Sequence, residues 1–407
     1  MSSSSNFQEG PSDRFLLPQG VGDTEDVERY QPGGFHPVHL GDTFDDGCYR
    51  VVHKLGAGGF STVWLARDET GGEWAHTVAR SASGISSHQS SRRSTRARLV
   101  SWRALDVTTG NLLLNVVNID RYNETEIYDL FGRPVTGVLE TENGEVAGPE
   151  APRYIVRNLD FLSGPSTIFE PNIKLMDFDQ SFPIASPPSK MLGTPLEFLA
   201  PEVALGFEAS PASDVWALGC CILRLRSGDG PFSSPFEVGS PADLVSYVIH
   251  TLGGDVPYKW QDILWDSNGL PTKDASKGKP LVKWGDDERS LRDIIYTIWD
   301  EPDGRVVHTG SNSLERMAGL EHEHQPFPSS WSKLAWNPKA IKVDHGYLTA
   351  YDDGWDMVLA ALPKIPDQEA ALLLDLLLTI FVYDPTKRPT ANELLKHPWF
   401  HLDELNQ

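Results

Sequence analysis

At 407 residues, with 40 % hydrophobic residues and a formal net charge of -22, the chain is long enough for one large two-lobed domain or two ordinary ones. The acidity argues against general affinity for nucleic acid or anionic lipid and favours a basic partner, though it also serves simple solubility. Three cysteines, two of them adjacent (Cys220 and Cys221), give no disulfide framework and fit a reducing compartment; Met1 to Ser5 carry no apolar signal core, and the apolar run Ala370 to Tyr383, broken by Asp375, is too short to span a membrane.

Residues 1–27 are rich in Ser, Gly, Asp and Glu, show no periodicity, and read as a disordered tail. From Glu28 onward, aromatic and turn residues mix in Tyr30-Gln31-Pro32-Gly33-Gly34-Phe35-His36-Pro37-Val38, which predicts an ordered, extended lead-in. Tyr49 to Leu55 reads as a strand. Gly56-Ala57-Gly58-Gly59-Phe60-Ser61-Thr62-Val63-Trp64-Leu65-Ala66 comes directly after it. Glycines let a backbone approach phosphates closely, so that its amides can donate to their oxygens, and Val63 would cover a base. Ser61 stands where a third glycine is usual. A strand before and Val-Trp-Leu-Ala after favour the strand–loop–strand of a protein kinase over a dinucleotide-binding turn, which would open a helix. An ordinary Gly-rich β-turn is the plainer alternative.

After about Ala75 the kinase pattern fails. A strand Lys, a helix Glu, two further strands, an adenine-holding hinge and two more helices should precede the catalytic loop. That block needs roughly 70 residues by average element lengths, and about 30 are present. No Lys occurs between Lys54 and Lys174. Arg80, Arg92, Arg93, Arg96 and Arg98 are at hand, but a planar guanidinium does not readily replace a compact ammonium. Residues 84–98 read as a polar Ser/Arg-rich linker; a self-substrate resembling Arg-Ser partners is the sharper alternative. Two explanations stand for the gap: a truncated copy of a kinase that has lost an internal block, or a pseudokinase that has dispensed with it.

Asp106 and Asn111 restore the register, with the Asp-to-Asn spacing of a kinase catalytic loop and the apolar strand Leu112-Leu113-Leu114 after it. The Asp orients or accepts the substrate hydroxyl proton and the Asn oxygen binds metal. Ala104, Leu105 and Thr108 depart from the usual loop. Residues 115–172 form a long insert, acidic and turn-rich, with a strand near Tyr154. Asp177-Phe178-Asp179 and, about two dozen residues on, Gly193-Thr194-Pro195 and Ala200-Pro201-Glu202 bracket an activation segment. Asp177 would bind the metal on the nucleotide phosphates, an oxygen donor suited to Mg²⁺ alongside Asn111. Asp179 replaces a Gly and should restrict the backbone flip there.

Ser213-Asp214-Val215-Trp216-Ala217-Leu218-Gly219 predicts a buried helix, and Pro241 to Leu252 another, with Gly253 as its stop. Residues 254–362 form a Trp- and Pro-rich insert whose tryptophans read as core packing. Within it Asp262, Asp266, Asp286, Asp287 and Glu288 offer acidic candidates for a basic peptide, or simply a solvated face. Asp384-Pro385-Thr386-Lys387-Arg388-Pro389 closes the pattern, with Arg388 expected to pair with Glu202.

The lead-in from Tyr30 to Asp42 and the wording Phe60-Ser61-Thr62-Val63-Trp64-Leu65 resemble the SR-protein kinase family, enzymes that phosphorylate Ser in Arg-Ser-rich splicing factors. The resemblance covers residues 28–402 except about 76–103, and the long insert after Asn111 is similar to fungal-type members. It implies an α+β, two-lobed protein kinase fold: a small β-rich N-lobe, here truncated, over residues 28–103, and a mostly helical C-lobe over 104–402 with inserts near 115–172 and 254–362. It implies ATP and Mg²⁺ as cofactors and Ser/Thr phosphorylation of Arg/Ser-rich or other basic proteins, with a role in mRNA splicing. Asp106 would be the catalytic base, Asn111 and Asp177 the metal ligands, and Gly56, Ala57, Gly58, Gly59, Phe60, Ser61 and Val63 the cover over ATP. Thr194 would form the substrate floor; Asp214 would hold the catalytic-loop backbone. Leu199 stands where an Arg often makes a substrate contact. The expected chain is a monomer of cytoplasm and nucleus, with no nucleic-acid or membrane partner. The alternative is a catalytically dead pseudokinase or truncated chain that binds basic proteins.

Overall fold

The computed structural model describes residues 14–18, 21, 24–31, 33–58, 61–80, 86–88, 102–103, 107–145, 147–159, 168–178, 181–183, 193–232, 238–281, 290–300, 340–343, 346–349 and 362–402. The chain is mixed α and β, with several small sheets and one of five strands. It divides into two compact units, residues 1–97 with 116–170, and residues 98–115 with 171–407.

The first unit is built on an antiparallel meander. Thr43–Phe44, Tyr49–Ala57, Ser61–Asp68, Trp74–Arg80 and Ser86–His88 lie side by side in chain order. Side chains alternate across a strand, so Val51 and Val52 serve opposite faces. Val51 and Trp64 pack with Val38 and Val156. Val52, Leu65 and Trp74 pack with Ile127, Phe131, Leu159 and Ile168. Ile127 and Phe131 are four apart on the helix Glu124–Phe131 and share one face. Asn123 caps that helix reciprocally with Glu126. Asp120 accepts from the Trp74 amide at 2.8 Å and the Trp74 indole donates to the Tyr122 carbonyl at 2.9 Å. These contacts change the expected domain boundary. Residues 116–170, expected as an insert of the helical lobe, belong instead with the N-terminal sheet, because their apolar helix face needs a sheet to cover it. The strand Trp74–Arg80 continues past the point where the sequence pattern fails, and Ser86–His88, expected in a linker, pairs with His76 to Val78.

The expected disordered tail is corrected over its described residues, 14–18, 21 and 24–27; the rest of it lies outside the described residues. Phe15–Leu16 pairs antiparallel with Glu140–Thr141, and Phe15, Val21 and Val27 are buried with Tyr30, Phe35, Leu139, Ala151 and Ile155. Arg14 holds Glu28 at 3.1 Å. Deeper in, the Lys54 and Glu25 side chains form an ion pair, 0 % and 2 % exposed. Burial alone would push the Glu25 carboxyl up, but the Lys54 charge and the hydrogen bonds from Lys54, Thr24 and Tyr30 outweigh it and hold the carboxyl below its usual range. The carboxylate therefore stabilises the folded unit above the ordinary carboxylate range, and that contribution is lost as pH falls through the depressed value.

The second unit packs around the helix Pro211–Ser227. Ser210 caps its start and Gly228, at a φ of +86°, ends it. Trp216, Cys220, Cys221 and Leu223 are buried, and the Trp216 ring stacks on Phe232 with centroids 5.2 Å apart. The helices Pro241–Leu252, Leu291–Tyr296 and Asp367–Ile380 join the same core. Trp265 is buried in it and Trp260 packs against Tyr383, as expected for tryptophans that fill a core. Among the described residues no helix is long and apolar enough to cross a membrane. A Cβ on Gly219 would lie 2.6 Å from Ile380 Cγ2 and 2.8 Å from Phe381. Gly219→Val should therefore lower stability by about 2–3 kcal/mol through overpacking, read as a lower midpoint in urea unfolding with an unchanged slope.

Candidate active site

The glycine hairpin belongs to the first unit. Gly56 pairs with Val63 and Ala57 with Thr62, and the Gly58 amide donates to the Ser61 carbonyl at 2.8 Å. Ser61 and Val63 are half-buried on the outgoing strand, Ala57 and Gly58 are exposed, and Gly59 and Phe60 lie outside the described residues. A Cβ at Gly56 or Gly58 would meet nothing within 4 Å, and neither has a positive φ. Local packing and backbone conformation therefore do not explain these glycines; close approach of another group to the backbone would.

The expected metal ligands Asn111 and Asp177 belong to the second unit. Leu112–Val116 and Phe169–Leu175 form a two-stranded ribbon. The turn Thr109–Asn111 enters one strand and Met176-Asp177 leaves the other. The Met176 amide donates to the Asn111 carbonyl at 2.9 Å, so Asn111 and Asp177, 66 positions apart in sequence, meet at one end of the ribbon. Asp177 is exposed and has a φ of +59°. Left-handed backbone at a non-glycine residue is uncommon and concentrates where function over-determines the conformation. Upstream, Val107 and Thr108 are buried, and the Cys221 thiol reaches the Val107 carbonyl at 3.8 Å, tying the loop after Asp106 to the central helix. Asp106, Ala104 and Leu105 lie outside the described residues, as does Asp179. Downstream, Phe182–Pro183 pairs with Trp102–Arg103.

Thr194 is half-buried just before the turn Leu196–Phe198. Leu199 is buried in the helical core, so the position where an Arg would touch substrate is taken up by packing. Glu202, in the short helix Pro201–Ala204, receives both Arg388 guanidinium nitrogens at 2.7 Å each. Ser213 donates to the same carboxylate at 2.8 Å. Arg388 also donates to the Ala212 and Val382 carbonyls and lies 4.8 Å over the Trp216 ring. Asp214 is half-buried in the first turn of the central helix. Among the acidic candidates for a basic peptide, Asp262 is exposed, Asp266 accepts from its own turn amides at Asn268 and Leu270, and Asp286, Asp287 and Glu288 lie outside the described residues.

Two residues escaped sequence reasoning. Lys54, the one Lys before Lys174, is buried against Glu25, which sits in the expected tail. The only signal was a Lys flanked by Val51, Val52 and Leu55 in a strand. Among the described residues no cluster of three or more His, Cys, Asp or Glu is placed to hold a metal ion. Asn111 and Asp177 fit Mg²⁺ as a partial oxygen set, since that ion keeps waters and takes nucleotide phosphates rather than an all-protein cage. At the Glu202 bridge, Arg388→Met leaves a buried carboxylate unpaired and should cost about 3–5 kcal/mol. The double variant with Glu202→Leu should recover only part of this, because Ser213 and two carbonyls still lose a partner; chemical denaturation of the three proteins checks both statements.

No protein-family model matches the chain. Short stretches do match curated proteins. The serine/threonine-protein kinase SRPK of Physarum polycephalum is 51 % identical over 65 residues, 15 % of this chain and 15 % of that protein. The serine/threonine-protein kinase SKY1 of Saccharomyces cerevisiae is 52 % identical over 44 residues, 11 % and 6 % of the two chains. Human SRSF protein kinase 3 is 56 % identical over 53 residues, 13 % and 9 %. The matched stretches therefore span 15 % or less of these relatives' own length. Over these short stretches the chain is similar to serine/threonine kinases of the SR-protein kinase family.

Proposed function

We propose that the chain is a serine/threonine protein kinase of two-lobed architecture that phosphorylates Arg/Ser-rich or other basic proteins, splicing factors among them, as a monomer in cytoplasm and nucleus. The observation that carries this reading is the meeting of Asn111 and Asp177 at one end of the ribbon, with Asp177 held in left-handed backbone. The likeness to SR-protein kinases and the net charge of -22, suited to basic substrates, point the same way.

When bound, Mg²⁺ neutralises charge on the transferring phosphate and ATP supplies the γ-phosphoryl group. The chain's residues do the positioning. Asn111 and Asp177 offer oxygens to the metal, and the Gly56–Val63 hairpin offers backbone amides to the phosphates. Asp106 orients the substrate Ser hydroxyl and takes its proton as the oxygen bonds to the γ-phosphorus. The bond to the bridging oxygen breaks and ADP leaves with that electron pair. Thr194 forms the floor on which the hydroxyl is presented, and Asp214 holds the catalytic-loop backbone.

A second reading has its own observation. Lys54 is fully buried against Glu25, so no Lys of the first unit is left to meet the phosphates. On that reading the chain is a pseudokinase that binds basic proteins without turnover. One experiment separates the two: purified chain with Mg-ATP and a synthetic Arg-Ser peptide. The kinase reading expects Mg-dependent phosphoserine that disappears in Asp106→Asn and in Asp177→Asn while circular dichroism is unchanged. Salt-sensitive peptide binding with neither nucleotide binding nor transfer would overturn it and establish the second reading.

A further inference from the structure

The described residues that enter the tip of the glycine hairpin are open. Ala57 and Gly58 are exposed, and among the described residues nothing beyond the chain neighbours lies within 4 Å of where a Cβ would stand on Gly56 or Gly58. Its position is therefore set by the two strands that carry it. On the outgoing strand, Thr62 is buried and accepts from the Trp64 indole at 2.9 Å. On the incoming strand, the residue paired with Trp64 is Lys54, and the register slips between Lys54 and Gly56. A slip of this kind is a β-bulge, which bends the strand and re-aims the residues beyond it. A second slip lies between Val51 and His53. Lys54 thus sits between two irregularities, where the ladder fixes the strand least.

At that point the side chain makes the contacts the ladder lacks. The Lys54 ammonium donates to Glu25, to the Thr24 hydroxyl at 3.1 Å and to the Val156 carbonyl at 3.1 Å. Its own carbonyl accepts from the Leu159 amide at 2.8 Å. Tyr30 donates its hydroxyl to the other Glu25 oxygen at 2.6 Å, and Thr24 donates to Glu25 as well. The segment that supplies Glu25 and Tyr30 is anchored independently, by Arg14 on Glu28 and by the core of Phe15, Val27 and Phe35. A buried ion pair of this kind is weak as a source of net stability but strong as a device that selects one geometry.

We propose that Glu25 is a positioning residue for the nucleotide: through Lys54 it fixes the angle of the glycine hairpin, which makes the N-terminal segment 14–30 part of the nucleotide-binding apparatus. The nucleotide part of this statement rests on the kinase reading above; the fixing of the hairpin does not. The test uses the full chain and Glu25→Gln, which keeps the shape and removes the charge. Amide hydrogen exchange is followed by mass spectrometry, and binding of Mg-AMP-PNP by calorimetry. Exchange in residues 56–63 should rise about tenfold, the equivalent of one charge-assisted hydrogen bond. Protection of the helices Glu124–Phe131 and Pro211–Ser227 should be unchanged, and Mg-AMP-PNP should bind about tenfold more weakly. Glu25→Asp should restore part of both. If Glu25→Gln does not fold, Tyr30→Phe removes one donor without stranding a charge, and should shift the same hairpin amides in the same direction by less. Unchanged exchange in residues 56–63, or a rise shared equally by the whole first unit, would overturn the proposal. Parent chain that binds no Mg-AMP-PNP would overturn the nucleotide role and the kinase reading together, and the exchange data would still decide whether the pair fixes the hairpin.

Discussion

The bridge between Glu202 and Arg388 holds the second unit to its geometry. Both charges are buried, and both guanidinium nitrogens are matched to carboxylate oxygens. Neither group could stay there alone, because an unpaired buried charge costs a large share of a fold's net stability. The pair joins the short helix Pro201–Ala204 to the turn Pro385–Lys387, and through Ser213 and Ala212 to the start of the central helix. That helix in turn reaches the Val107 carbonyl. A chain of contacts thus runs from Glu202 through the central helix to the Val107 carbonyl.

The motifs that were legible in the sequence are those whose chemistry is local. The glycine hairpin shows itself through composition and two flanking strands. The Asp-to-Asn spacing and the activation-segment bracket show themselves through fixed offsets. Arg388 and Glu202 could be paired because each belongs to a short, specific string. What the sequence hid was long-range. Phe15, Val21 and Val27 look like parts of a tail, since their burial depends on Leu139, Ala151 and Ile155, more than a hundred positions away. The helix Glu124–Phe131 looks like part of an insert, since nothing in its own pattern says which sheet its Ile127 and Phe131 will cover. Glu25 carries no local signal at all; its role exists only because Lys54 is buried opposite.

Fold and chemistry place different demands on the region where the kinase pattern fails. The fold asks that both faces of the five-stranded sheet be covered. Val38 and Val156 serve one face, and the helix Glu124–Phe131 with Leu159 and Ile168 serves the other. Packing is satisfied without the block that the sequence lacks. The chemistry asks for an ammonium aimed at phosphates and a carboxylate to hold it. The helix that covers the sheet brings three carboxylates; Asp129 is exposed, and the other two are engaged elsewhere. Glu124 takes Arg50 at 2.9 Å and the Tyr128 hydroxyl at 2.8 Å. Glu126 closes the reciprocal cap with Asn123. Lys54 is engaged by Glu25.

Hydrophobic closure tolerates substitution of one apolar element for another, because burial is non-directional and depends mainly on area. A phosphate site tolerates far less, because it depends on one charge at one distance. A chain can therefore keep a closed sheet, a glycine hairpin and a ribbon that brings Asn111 and Asp177 together while the Lys of the kinase pattern is absent. In such a chain the hairpin must be held by something other than the usual Lys and Glu pair. The buried pair of Lys54 and Glu25 stands two residues before the first glycine, on the strand that leads into the hairpin, where such a fixed point is needed.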